Sequence, residues 1–262
     1  MKKILLSILI ISMIACKQSK KAEIEDTQPV KVETKIYPEA ISKVFKAHGG
    51  LEVWDDMNSL SFIMPKPDGN EITSVNLKSR KSHIEMPHHA IGFDGKAVWL
   101  LKKDTIAYKG NPKFYYNLMF YFYAMPFVLA DNGIHYENAK SLEFDGKQYP
   151  GIKVSYEIGV GESSDDEYII YYDPETYKMA WLGYTITYFS KEKSKDFHYI
   201  KYSEWQQVNG LLLPKTLQWY QVVDGKITEK RNVVQFTNVM VSKAKMDDVI
   251  FLKPEKAEII EK

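Results

Sequence analysis

The sequence predicts a mainly β fold of the α+β class, in which a curved antiparallel sheet forms an unclosed barrel and helices cover its concave side. Turn signals and strand signals alternate along the chain. The turn signals are Asp-Gly and Asn-Gly pairs, which supply the positive φ angles of tight hairpins: Asp68-Gly69, Asp94-Gly95, Asp145-Gly146, Asn209-Gly210 and Asp224-Gly225. The strand signals are runs rich in tyrosine, isoleucine, valine and threonine: residues 97–101, 152–158, 168–172, 184–189, 216–223 and 232–241.

Apolar residues on both faces of some strands predict the curvature. Residues 168–172 read Tyr-Ile-Ile-Tyr-Tyr, whereas a sheet with one solvated face carries polar residues at every second position. Two apolar faces favour a sheet that curves around helices or a ligand and carries other material on its convex side. A two-sheet sandwich also fits the composition and stays open as an alternative.

Two helical segments interrupt the strands, and the first is amphipathic. Pro38 begins this helix, and Ile41, Val44, Phe45 and His48 recur at positions i, i+3, i+4 and i+7, which places them on one apolar stripe. The glycine pair that follows ends or bends the helix.

The second helical segment, residues 114–127, is apolar on all sides. A helix without a polar face is deeply buried or contacts apolar material on more than one side, and this one is too short to cross a bilayer. It therefore predicts a cap across the sheet, with methionines and aromatic rings that offer an adaptable surface. Leu118, Phe122 and Met125 share one face of this helix. A plain core helix is the alternative interpretation.

The N-terminus predicts a secretory signal followed by a lipid anchor. Lys2 and Lys3 precede an apolar run at residues 4–14, which is too short to span a bilayer. Cys16 is the only cysteine of the chain and follows Ala15, so this segment resembles a bacterial lipobox. Cleavage before Cys16 would let its thiol carry diacylglycerol, and two or three acyl chains hold a protein firmly to a membrane. An ordinary signal peptide with a chance cysteine is the alternative.

These signals predict three regions: a signal peptide at residues 1–15, a lipidated flexible tether at 16–35 and a single domain at 36–262. The tether is polar and lacks apolar periodicity. Removal of Lys2 and Lys3 changes the formal net charge from +1 to −1, so we expect no nucleic-acid partner. Because Cys16 has no second cysteine to pair with, the domain has no internal disulfide.

Several short motifs accompany the lipobox. They are His48-Gly49-Gly50-Leu51 with Trp54, Tyr172-Asp173-Pro174-Glu175-Thr176, Asn209-Gly210-Leu211-Leu212-Leu213-Pro214 and Phe236-Thr237-Asn238-Val239. Together they resemble an uncharacterised family of bacterial lipoproteins, whose layout is similar to the Lol-type lipoprotein carriers and their receptor. The resemblance covers about residues 37–256.

In the Lol-type fold, acyl chains occupy the apolar hollow of an unclosed barrel. The resemblance therefore implies a binding protein without catalytic residues or cofactors, with acyl chains of a lipid or lipoprotein as its ligand, and it leaves any protein partner unknown. It also favours the outer membrane, facing the periplasm, with Cys16 as the attachment to the membrane. The candidate residues of the hollow are Phe114, Leu118, Tyr121, Phe122, Met125, Phe127, Trp181 and Trp219.

One histidine-rich stretch has metal-ligand chemistry. His83, His88 and His89 lie close to Glu85, and imidazole and carboxylate groups suit zinc or copper. However, the HExxH and paired CxxC spacings do not occur, and Pro87 breaks any helix that could align the histidines. We therefore expect neither a metal site nor an enzyme.

Two further functions stay open. The chain could be a structural or interaction subunit of an outer-membrane assembly, with an aromatic surface that packs on a partner. It could also be a periplasmic metal-dependent hydrolase that uses the three histidines. A filled core with an exposed aromatic patch would favour the first function, and bound metal would favour the second.

Overall fold

Antiparallel strands account for most of the regular structure. A computed structural model of the protein describes residues 35–157, 165–190 and 192–261, and a folded unit begins at Tyr37. The predicted signal peptide, the anchor Cys16 and the tether up to residue 34 lie outside the described residues.

The strands form two seven-stranded antiparallel sheets. The strands of the first sheet are β1 (Ser59–Lys66), β2 (Gly69–Asn76), β3 (Ser82–Glu85), β4 (His89–Phe93), β5 (Val98–Lys102), β13 (Thr237–Ser242) and β14 (Glu258–Ile259). The strands of the second sheet are β6 (Ile134–Phe144), β7 (Lys147–Tyr156), β8 (Tyr168–Tyr172), β9 (Met179–Tyr184), β10 (His198–Val208), β11 (Leu211–Val223) and β12 (Lys226–Gln235).

The two sheets meet at consecutive strands. Only Phe236 separates β12, which pairs with β11, from β13, which pairs with β1, and its N–H donates to the Lys215 carbonyl at 2.9 Å. The spatial orders are β13-β1-β2-β3-β4-β5-β14 and β12-β11-β10-β9-β8-β7-β6. The outer strands β14 and β6 do not pair with each other in the described part of the chain. The unclosed antiparallel architecture is thus confirmed, with its strands divided between two sheets.

The predicted hairpin turns are confirmed. Asp145-Gly146, Asn209-Gly210 and Asp224-Gly225 have positive φ at both residues, which matches the twist of the strands that they join. Asp94-Gly95 connects β4 to β5, and Asp68-Gly69 lies in the β1–β2 hairpin, where Gly69 already pairs with Lys66.

The first amphipathic helix is confirmed as α1 (Glu39–Ala47), and a short helix α2 (Leu51–Asp55) follows it. Ile41, Val44 and Phe45 are buried on one face of α1. They pack into the main core cluster together with residues of both sheets.

The single helix predicted for residues 114–127 is wrong. This segment contains α3 (Pro112–Tyr115), α4 (Leu118–Tyr123) and the start of a 3-10 helix, Phe127–Ala130. The break before α4 falls at Asn117, a residue that competes with the helix for backbone hydrogen bonds. The break after α4 precedes Pro126, which has no N–H to donate.

Two predicted strands also need correction. Residues 184–189 leave the sheet after Tyr184, because Thr187 donates from its N–H and its hydroxyl to Asp166 Oδ1, at 2.6 and 2.8 Å, instead of to a neighbouring strand. Residues 232–241 are two strands, which separate at Phe236 where the chain passes from one sheet to the other.

The core lies between the sheets, and further clusters flank it. The main cluster joins α1, α4, the Phe127–Ala130 helix and the facing strands of both sheets. A second cluster covers β3, β4 and β5 with Tyr116. On the other face of β5, Trp99 is buried and donates to the Phe251 carbonyl at 3.1 Å. The helices of the described ranges are too short or too polar to span a membrane.

Candidate functional site

Aromatic residues form a row across the inner face of the second sheet. Tyr156, Tyr168, Tyr184 and Trp219 come from β7, β8, β9 and β11. Tyr184 belongs to the main core cluster, and the other three pack against it. Tyr168 and Tyr184 are direct partners in the β8–β9 ladder. Because side chains of a strand alternate between its faces, each ring shares its face with a buried aliphatic residue two positions away. We call these four residues the aromatic row.

Helix α4 contacts the aromatic row. The ring centroid of Tyr121 lies 5.7 Å from that of Tyr168, and the Phe122 ring lies 5.0 Å from Tyr184 and 6.0 Å from Trp219. These distances are those of favourable aromatic pairs. The apolar side chains predicted for this segment therefore include two, Tyr121 and Phe122, that pack on the second sheet.

Hydrogen bonds pair the polar tips of these rings. The Tyr121 and Tyr156 hydroxyls bond to each other, and Trp219 Nε1 donates to the Tyr184 hydroxyl at 3.1 Å. Burial raises the pKa of Tyr121, Tyr156 and Tyr168 above the ordinary tyrosine value. These phenols are consequently neutral at physiological pH, and the surface that they form is uncharged.

Exposure is graded along the site. Phe122 and Tyr184 are 3% and 7% exposed. In contrast, Leu118 and Tyr121 of α4 are only partly buried, and so are three members of the aromatic row, Tyr156, Tyr168 and Trp219. Partly buried apolar groups around a buried floor can take an apolar ligand, since its binding would remove the remaining surface from water.

A second aromatic cluster lies at the edge of the site. Phe114 of α3 packs on Tyr188 and Phe189, with centroid distances of 5.1 and 5.0 Å. Phe189 is 64% exposed. Its loop directly follows the end of β9, where Tyr184 belongs to the aromatic row.

The structure brings most of the predicted hollow residues to the inner side, but in different roles. Tyr121 and Phe122 contact the aromatic row, to which Trp219 belongs, and Leu118 packs against the main core cluster. Met125 lies beyond the end of α4, so it does not share the helical face predicted for it. Met125 and Phe127 are 0% and 1% exposed and belong to the main core cluster.

The prediction that Trp181 lines the hollow is wrong. Its neighbour Leu182 points into the main core cluster, so Trp181 must point to the opposite face of β9. There its ring lies 4.7 Å from Phe144 and 4.9 Å from Tyr220. Trp181 is fully buried on this opposite face of the sheet, and sequence analysis did not predict that Phe144 and Tyr220 cover it there.

Sequence reasoning missed Tyr156, Tyr168 and Tyr184. All three occur in predicted strands, yet several strands are apolar on both faces, so the pattern alone does not tell which face is concave. The signal that could have found them is their position at strand ends, where a half-buried ring with a polar tip is common.

His48 ties α1 to the second sheet. Its Nδ1 donates to the Val44 carbonyl at 2.8 Å, and its Nε2 accepts from the Met179 N–H at 3.3 Å. Burial lowers the pKa of His48 to about 4, which keeps the ring neutral. Next to it, Gly49 has φ +111°, and a Cβ there would lie 2.4 Å from the Gly210 carbonyl oxygen. The two glycine motifs quoted above thus meet in a packing contact.

The histidine-rich stretch divides among separate partners. His83 approaches Glu85 at 3.5 Å, His88 bonds Asp104 at 2.6 Å, and His89 bonds the Ile106 carbonyl at 2.8 Å. Within residues 35–157, 165–190 and 192–261, no three His, Cys, Asp or Glu side chains are grouped as metal ligands.

Sequence comparison identifies the family of the chain. A family of unknown function, DUF6503, matches residues 95–236, more than half of the chain. The chain belongs to this family. The DUF6503 range includes α3, α4 and all four residues of the aromatic row. No curated protein matches the sequence.

The solved structures with a similar fold are distant in sequence. A LolA superfamily protein from Nitrosomonas europaea has 9% identity and a TM-score of 0.46, covering 80% of this chain and 96% of its own. A DUF1329 family protein from Desulfovibrio piger has 12% identity and a TM-score of 0.49, with coverages of 82% and 98%. A domain named as an outer membrane lipoprotein-sorting protein from Vibrio parahaemolyticus has 7% identity and a TM-score of 0.39, with coverages of 78% and 97%. The function of this DUF6503 protein therefore has to be argued from its own residues.

Proposed function

We propose that this protein is a lipid-anchored binding protein of the bacterial envelope, which holds acyl chains of a lipid or lipoprotein on the partly exposed surface that α4 and the aromatic row form together. The observation that carries the proposal is the graded burial of this site. A buried floor at Phe122 and Tyr184 is surrounded by the partly exposed Leu118, Tyr121 and Trp219. An acyl chain is the ligand whose chemistry matches an uncharged surface of this kind.

The proposed site offers contact area and no reactive group. The hydroxyls of Tyr121 and Tyr156 are neutral and bonded to each other. We therefore propose binding or transfer of the ligand without chemical change to it, as part of lipid or lipoprotein trafficking. Lipidation of Cys16 would keep the protein at the outer membrane, facing the periplasm, where such ligands are present.

Native mass spectrometry of residues 36–262 tests the binding. This part of the chain contains the described residues of the main core cluster and the compact unit that begins at Tyr37, so we expect it to fold on its own. We expect an acyl lipid to co-purify with the wild-type domain and to be lost in Leu118→Asp, because the carboxylate would have to be desolvated against the ligand.

A surface variant serves as the matched control. Val249→Asp makes the same chemical change at a residue that is 59% exposed, and it should retain the lipid. Thermal unfolding of each variant separates loss of ligand from loss of fold. A wild-type domain that binds no lipid even when acyl lipid is added would refute the proposal.

Metabolic labelling tests the anchor. Cells that express the full chain with a clickable fatty acid should label the wild-type protein, whereas Cys16→Ser should remain unlabelled because no thiol is left to carry diacylglycerol. Equal labelling of both proteins would contradict anchoring through Cys16.

A further inference from the structure

The inner face of the first sheet contains a buried carboxyl group. Glu71 of β2 is 5% exposed and lies opposite Met64 of β1, a residue with no exposed surface. One of its oxygens, Oε1, accepts a hydrogen bond from the Tyr115 hydroxyl at 2.7 Å. Glu71 forms no ion pair with another described residue, which is unusual for a carboxyl group at this depth.

A hydroxyl without a partner lies on the same strand face. Thr73 follows Glu71 by two positions, so both side chains point to the inner side of β2. Thr73 is 1% exposed, and its Oγ1 has no hydrogen-bond partner among the described residues. Burial of an unpaired hydroxyl is costly, and the cost disappears if a bound molecule supplies the partner.

The charge near these two residues favours a donor over an anion. Burial raises the pKa of the Glu71 carboxyl, although the bond from Tyr115 opposes this shift. Burial and the charge of Glu71 together raise the pKa of Tyr108 to about 12. A second anion brought to this place would meet the same low dielectric and the same negative neighbour.

Tyr115 connects this polar position to the proposed acyl site. It belongs to α3, three residues before Leu118 of α4, and it packs against both the main and the second core cluster. A ligand whose chain lies along α4 could thus extend its head toward Tyr115 and the inner face of β2.

We propose that Glu71 and Thr73 form a polar subsite that receives the hydrogen-bond-donating head of the ligand, a hydroxyl or an ammonium group, and discriminates against a carboxylate head. This inference rests on the proposed acyl-binding function. It adds that the ligand is a neutral or cationic amphiphile and not a free fatty acid.

Three probes with the same hexadecyl chain test the subsite. Hexadecanol, hexadecylamine and hexadecanoate are titrated separately into residues 36–262 near neutral pH. We expect the alcohol or the amine to bind about tenfold more tightly than the carboxylate, which is the ratio expected from one charge-assisted hydrogen bond. The stronger of these two probes identifies the head group.

Variants assign the discrimination to the two residues. Glu71→Gln keeps the shape and an oxygen that can accept from Tyr115, so it should fold and should lose most of the preference against hexadecanoate. Thr73→Val should weaken binding of the donor probe. Glu85→Gln is the matched control, because Glu85 belongs to β3, lies opposite Ile72 in the ladder and has a side chain that is 43% exposed; it should change nothing.

The outcomes separate this inference from the proposed function. If none of the probes binds the wild-type domain, acyl binding itself is refuted. If all three bind equally, acyl binding stands and the subsite is refuted, which is the result expected when Glu71 and Thr73 merely hold a buried water. If Glu71→Gln discriminates against hexadecanoate as strongly as the wild-type domain does, the assignment of the discrimination to Glu71 is refuted.

Discussion

The two halves of residues 114–127 have similar compositions but different environments. In the first half, Phe114, Leu118 and Tyr121 keep part of their surface exposed. In the second half, Met125 and Phe127 are fully buried, and the Phe127 ring stacks on Trp54 at 4.8 Å with an angle of 8° between the rings. The same kind of sequence therefore stays partly exposed in one half and forms buried core in the other.

This difference explains why neither sequence interpretation of residues 114–127 is complete. The partly exposed Leu118 and Tyr121 of α4 fit the predicted cap, whereas the fully buried part from Met125 to the Phe127–Ala130 helix fits a core segment. The helix break near Pro126 allows the change, because the chain can turn its later residues inward without rotating α4.

The largest expected effect is on the buried half. Phe127→Ala should lower the free energy of unfolding by about 3–5 kcal/mol, since it removes a stacked ring and leaves a cavity. Leu118→Ala in the exposed half should cost roughly half as much, because less of its surface is buried. Urea denaturation of both variants measures the two losses in the free energy of unfolding and hence their ratio. Equal losses would show that the two halves are equally part of the core.

Acid should weaken the buried half through His48, whose ring lies 6.5 Å from Phe127. Burial lowers the pKa of His48 to about 4, while the unfolded chain keeps the ordinary value of about 6.5. Between these values the unfolded state binds a proton that the folded state does not, so stability falls as the pH drops from about 6.5 to 4, by up to about 3 kcal/mol.

The control for this pH effect is a pair of variants. His48→Gln should flatten the slope of stability against pH in that window, and His135→Gln, at a residue whose side chain is 61% exposed, should leave the slope unchanged. If His48→Gln keeps the wild-type slope, other groups are responsible for the acid sensitivity.

The smallest effect on stability is expected at the edge of the site. Phe189→Ser changes a ring that is 64% exposed, so the free energy of unfolding should shift by no more than about 0.5 kcal/mol. Thermal unfolding checks this value. A clearly larger loss would mean that the cluster of Phe114, Tyr188 and Phe189 is part of the core, and the contrast between the halves would then be weaker.

Local signals predicted the parts of the fold that depend on local chemistry. The Asn209-Gly210 turn and the apolar stripe of α1 follow from backbone preference and periodicity, and the structure confirms both. Such signals do not tell on which face of β9 the Trp181 side chain lies. Strand β9 is apolar on both faces, and its pairing with β8 is irregular between Tyr171 and Tyr172.

The candidate site was only partly predictable for the same reason. Leu118, Tyr121 and Phe122 were found because their segment is unusually apolar. Tyr168 and Tyr184 lie at strand ends, and the pairing of their strands shows that they face the same side. Glu71 carries no sequence signal, because its burial depends on Tyr115 from a distant helix.

Photo-crosslinking tests the central claim most directly. A fatty alcohol with a diazirine near the end of its chain is bound to residues 36–262 and irradiated, and the modified residues are mapped by fragmentation mass spectrometry. Labels should concentrate on Leu118, Tyr121 and the aromatic row. Labels on Phe144 and Trp181, on the opposite face of the second sheet, or the same labelling pattern in the denatured protein, would contradict acyl binding at α4 and the aromatic row.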